Sequence, residues 1–151
     1  MKTVLLALCL IATNIYGQKS TTPVDLSTLK SDKIFEMLQN DDTLVLNYST
    51  SGCFHLAVEK IIFTKKNEVV KAEIFIKDKL VKSQVLTAKM VKFMIAFENK
   101  SRLMNKNAGC TTSETYAFML NNIPQFSIVD STCSWNGYDL LKKEIFNIGS
   151  I

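Results

Sequence analysis

Cys53 and His55 are the residues of this chain whose types and spacing come nearest to a reactive pair. Two positions apart on an extended segment, their side chains point to one face, and a thiolate beside an imidazole is the minimum for nucleophilic cysteine chemistry. His55 is the single histidine, so a nearby Asn, Asp or Glu would have to orient its ring. A plainer reading stands beside this one. Cys-x-His pairs are common, the two residues are neighbours rather than convergent from separate elements, and no oxyanion-hole segment is evident. On that reading Cys53 is a small buried hydrophobe and His55 a partly exposed sheet residue.

Other constellations say less. Glu59 and Glu73 could face one another across a hairpin, as the paired acids of glycosidases do, although a strained register accounts for them more economically. Glu114 and Asp130 fall on two later strands with nothing further to mark them. No CxxC or HxxxH spacing is present, so no metal is expected. A Gly-rich phosphate loop, a GxSxG elbow and an HExxH helix are also missing, so no cofactor is expected. The segment Cys133-Ser134-Trp135-Asn136-Gly137-Tyr138 carries the sole tryptophan. Trp135 and Tyr138, on a loop entering a helix, suit a binding hot spot or a sugar-stacking platform. The competing reading has Trp135 covering the end of the core.

The elements that must position these residues centre on Cys53 to Lys77, two apolar-alternating runs rich in Val, Ile and Phe. Such side chains fit a pleated, half-buried surface. Lys65-Lys66-Asn67 reads as a three-residue hairpin loop, with Asn67 supplying the left-handed conformation. That register sets Leu56, Val58 and Ile62 against Ile76, Ile74 and Val70 as one apolar face. A two-residue loop at Lys66-Asn67 would instead pair Lys60 with Glu73 and set Ile62 against Lys71. The first is preferred, because burying apolar pairs outweighs exposed charge pairs.

Around this hairpin the pattern predicts a helix over Ser31 to Gln39, with Ser31 as N-cap and Ile34, Phe35 and Leu38 buried. A strand follows through Leu44, Leu46 and Tyr48. After a tight turn at Asp78-Lys79 comes a shorter strand, Leu80 to Val85, and these four strands form a meander. The longest helix runs from Ala88 to Asn105, capped by Thr87. Its Met90, Phe93, Met94 and Phe97 recur at helical spacing, a stripe that is ordinary core more often than a methionine-lined groove. Thr115 to Leu120 and Phe126 to Thr132 form a strand pair around a loop over residues 121–125, and a helix capped by Asn136 runs from Gly137 to Ile148. The fold class is therefore α+β: an antiparallel sheet of about four strands plus a C-terminal strand pair, packed by a long central helix, with N- and C-terminal helices.

The first seventeen residues stand apart. Lys2 is a short positive region, Val4 to Ile15 an apolar one, and Gly17 can precede a cut, as in a secretory signal peptide. The apolar run is well short of the ~20 residues of a membrane span. The expected organisation is a signal peptide over 1–17, a polar tether over 18–27 and a single domain over 28–151, with no transmembrane segment once the signal is removed. In an oxidising compartment the remaining Cys53, Cys110 and Cys133 should form one bridge. Folding the last strand pair about Asn122 brings Cys110 to Cys133, the preferred pairing, with Cys53–Cys110 and Cys53–Cys133 as alternatives. The 151 residues carry a formal charge of +4, and residues 59–106 hold twelve Lys/Arg against five Asp/Glu. Arg102 is the lone arginine, and nucleic-acid recognition favours its fork; no nucleic-acid partner is expected. The expectation is a secreted or periplasmic, non-enzymatic binding or interaction protein of a bacterial envelope, its partner an envelope or extracellular protein. The alternative is a small thiol-dependent hydrolase or redox enzyme using Cys53 and His55.

Overall fold

A computed structural model describes residues 33–52, 56–104 and 109–149. Eight elements follow one another: β1 (Thr43–Ser51), β2 (Leu56–Lys66), β3 (Val69–Ile76), β4 (Lys79–Val85), α1 (Ala88–Arg102), β5 (Ser113–Leu120), β6 (Ile123–Asp130) and α2 (Gly137–Phe146). All six strands join one antiparallel sheet in the order β4-β3-β2-β1-β5-β6.

This corrects the expected architecture. The C-terminal strand pair is not a separate layer. β5 pairs with the free edge of β1 from Leu44↔Leu120 to Ser51↔Ser113, which makes β1 central. Nor does one long helix cover the sheet, since α1 has 15 residues and α2 has 10. They share the cover with a single turn at residues 34–37, whose Met37 N–H donates to the Lys33 carbonyl. Among the described residues no N-terminal helix is present; Ser31 and Asp32, its expected start, lie outside them, as do the signal and tether segments.

The sheet's buried face is set by alternation. Leu44, Leu46 and Tyr48 of β1 share it with Ile61 and Phe63 of β2, Ala72 and Ile74 of β3, and Tyr116 and Phe118 of β5. The hairpin therefore shows the opposite parity to the one expected. Leu56 and Val58 are 81% and 61% exposed, while Glu59, Ile61 and Phe63 turn inward. Register explains the flip: Ile74 lies opposite Ile61 rather than Val58, and a shift by an odd number of residues moves every side chain to the other face. The observed turn is the two-residue Asn67-Glu68, which pairs Lys66 with Val69 and Ile61 with Ile74, so neither anticipated loop is formed. Both turn residues have positive φ, 50° and 62°, the backbone of a turn whose twist matches the strands. Lys77-Asp78 and Asn121-Asn122 close the next hairpins in the same way. Pro124 thus belongs to β6, an edge strand where its missing N–H costs no ladder bond.

The helices are held by polar groups at their ends. Thr87 caps α1, its Oγ1 accepting the Met90 N–H at 3.4 Å. Asn136 stands at the N-cap of α2 but makes no side-chain cap bond, contrary to the expectation drawn from its type. At the other end of α2, Asn147 adopts the left-handed conformation (φ 53°), and Lys82 of β4 donates to the Phe146 carbonyl. That ammonium meets the negative end of the helix dipole. Glu98 of α1 is wholly buried; it accepts the N–H groups of Ile34 (2.8 Å) and Phe35 (2.9 Å) and pairs with Arg102 at 2.8 Å. One carboxylate therefore fastens the 34–37 turn to α1.

Candidate functional site

At the Ser51 end of β1 the buried face changes from aliphatic to polar. Glu59, Tyr48 and Tyr116 form one row across β2, β1 and β5, and beyond it Glu114 of β5 lies directly opposite Asp130 of β6. Strand pairing thus places two carboxylates side by side at the mouth of the core. Asp130 is only 3% exposed, and its Oδ1 accepts the Thr132 N–H at 2.8 Å. Glu114 accepts the hydroxyl of Tyr116.

The roof of this site is the segment joining β6 to α2. Cys110 and Cys133 lie at disulfide distance with Cα atoms 5.8 Å apart, and Cys110 N–H donates to the Ser131 carbonyl at 3.2 Å. Behind the bridge, Trp135 packs on Phe97 (ring centroids 5.3 Å) and Tyr116 (5.1 Å). Between roof and strands is a cavity of about 430 Å³, lined by Thr112, Glu114, Asp130, Ser134, Trp135 and Asp139, together with Cys133 and Asn136. Three carboxylates and an indole line it, and no described lysine or arginine does. Two cations stand close by: the buried Lys142, whose Nζ is 3.3 Å from Glu59 Oε1 and 3.4 Å from Asp139 Oδ1, and Lys100, whose Nζ is 5.8 Å from the Trp135 ring centre.

Three tyrosines pack together in the core beside this cavity. Tyr138 stacks on Tyr48 with centroids 3.8 Å apart and planes 10° from parallel, and Tyr116 tilts against Tyr48 at 5.4 Å. All three phenols are pushed well above the ordinary tyrosine value, first by burial and then by carboxylates: Glu114 for Tyr48 and Tyr116, Glu59 for Tyr138. They are neutral donors, not bases, at any physiological pH. Among the described residues, Glu59 Oε2 and Tyr138 Oη are buried without a hydrogen-bond partner.

The residues singled out from sequence fare differently. Cys53 and His55 lie outside the described residues. Trp135 lines the cavity, while Tyr138, 1% exposed, supports it from within the core. Glu59 and Glu73 do not face one another: Glu59 turns inward to Lys142, and Glu73 lies on the other face beside Lys71, at 2.7 Å. Glu114 and Asp130, which carried no signal alone, are the pair the fold brings together. Their pairing was implicit in the fold about Asn121-Asn122 that joins Cys110 to Cys133. Among the described residues no three His, Cys, Asp or Glu side chains are placed to hold one metal ion, and no helix is long and apolar enough to cross a membrane. Comparison of the chain with protein-family models, with curated proteins and with solved structures gave no match.

Proposed function

We propose that this chain is an exported, non-enzymatic binding domain whose cavity takes a basic side chain of an envelope or extracellular protein. The observation that carries this reading is the Glu114–Asp130 pair, set with Asp139 and Trp135 around one cavity that no described basic residue lines. In a chain of formal charge +4, such a concentration of carboxylates creates a local field of opposite sign to the whole. A guanidinium or ammonium entering it gains charge-assisted hydrogen bonds from the acids and a cation–π contact with the indole. Export is supported by the sequence pattern of residues 1–17 and fits the Cys110–Cys133 pair, since disulfides persist in oxidising compartments.

Trp135 is the only tryptophan and lines the cavity, so its fluorescence reports occupancy. Titration with a short Lys/Arg peptide at low salt should change its emission saturably, with affinity falling as salt rises. An equal response to a Glu/Asp peptide would sink the reading. The thiol-enzyme alternative rests on Cys53 and His55 alone. Its test is separate: rapid labelling of Cys53 below pH 7 would support it, and an inert thiol would end it.

A further inference from the structure

Only one face of the six-stranded sheet is covered by described elements: both helices and the 34–37 turn pack over Leu46, Ile61, Ile74 and Phe118. Across the middle of the opposite face, pairing aligns Leu80 with Phe75, Ile62 with Val45, and Val45 with Met119. Leu56 and Val58 extend this apolar surface at one end of β2, and they are among the most exposed large hydrophobics of the chain.

The charges of this face cancel only in part: Lys66, outward at the end of β2, is exposed, and Lys77 lies beside Lys60, Phe75 and Asp78. Lys71 pairs with Glu73 at 2.7 Å and Lys60 with Asp78 at 3.2 Å, and Lys60 also lies 5.2 Å from the Phe75 ring centre. On β1 and β5 the outward positions are Thr43, Val45, Asn47 and Ser49, then Thr115, Ala117 and Met119, with no charge among them.

Its size is also sufficient. Six strands about 4.8 Å apart, each presenting about eight residues at about 3.3 Å per residue, give a face roughly 25 Å square. Two such faces, at roughly 600 Å² each in projection, remove about 1,200 Å² or more from water, the lower bound of a standard stable interface.

We infer that the open sheet face is the interface of a homodimer, two copies packing sheet on sheet about a two-fold axis with their sheets about 10 Å apart. A second copy is the occupant because two such faces reach the area that a stable dimer needs. Such a contact also explains Leu56 and Val58 at outward positions, where water would otherwise meet them. The inference is independent of the cavity, which opens on the other face.

Light scattering on the purified exported chain at about 100 µM should give twice the single-chain mass. Ala117→Lys places a charge at the centre of the outward face without touching the helix-packed core, and should give the single-chain mass with an unchanged circular-dichroism spectrum. Ser127→Lys, outward on β6 in the same row, should weaken dimerisation at least tenfold and serves if the first variant folds poorly. Leu103→Lys, on the far side at the end of α1, should leave the dimer intact. A single-chain mass for the unaltered protein overturns the inference, whether residues 18–32 or another partner then covers the face. So does a dimer that survives both β5 and β6 substitutions.

Discussion

The indole of Trp135 lies directly against the Cα of Gly137, so closely that a β-carbon at residue 137 would fall inside the ring. The same indole packs on Phe97 and Tyr116. Gly137→Ala must expel the ring or shift the helix start. Overpacking of this kind costs about 1–3 kcal/mol, and the expected result is a lower denaturation midpoint with red-shifted tryptophan emission. Unchanged emission would mean that the ring is not held by this contact.

Glu98 is the only side chain that satisfies the N–H groups of both Ile34 and Phe35 among the hydrogen bonds described. Glu98→Ala leaves those two buried donors unfilled. A loss of about 3 kcal/mol is expected, because each unsatisfied buried donor costs about 1–3 kcal/mol. Hydrogen exchange should show residues 34–38 deprotected ahead of the sheet. Global unfolding without that local signature would contradict the role given to Glu98.

Lys142 and Glu59 form a buried pair between α2 and the sheet. Lys142→Met should cost about 3–5 kcal/mol by leaving Glu59 uncompensated, whereas the double change Glu59→Leu with Lys142→Met should recover most of that loss. A double-mutant cycle checks this. Additive losses would show that the two side chains act independently.

The raised phenols fix the alkaline limit of stability. In the folded chain Tyr48, Tyr116 and Tyr138 ionise well above their ordinary value near 10, while unfolded tyrosines ionise at that value. The stabilisation is therefore fully present below pH 10 and is lost as pH rises above it. Each tyrosine kept neutral contributes a slope of about 1.4 kcal/mol per pH unit. Denaturation from pH 9 upward should show this steep decline, and Tyr138→Phe or Tyr116→Phe should each flatten it. A decline equally steep in both variants would place its origin elsewhere.

How much of this was legible in the sequence depends on the range of the interaction. Alternation in Leu44, Leu46 and Tyr48 identifies β1 because period-2 burial is local, and Thr87 declares the start of α1 in the same way. The facing of the central hairpin was not local. It turned on whether Glu68 takes the left-handed conformation, which it does while its N–H donates to Asn40 Oδ1 and its carboxylate meets Lys65 at 2.9 Å. Lys65 belongs to the same hairpin, but Asn40 comes from the 39–42 connection, which no window around residue 68 contains. Likewise, that β5 pairs with β1 is settled by long-range pairing, and the Glu114–Asp130 site follows only once the last hairpin is joined to the sheet. Trp135 was visible as the sole tryptophan, but what it faces was not.

The measurement that bears most directly on the proposed site is the tryptophan titration repeated on Glu114→Gln with Asp130→Asn. The substitutions preserve shape and remove two charges from the cavity. The account predicts a Lys/Arg peptide binding at least tenfold more weakly than to the unaltered chain, with a shallower salt dependence and an intact fold. Equal affinity in the two proteins would contradict it.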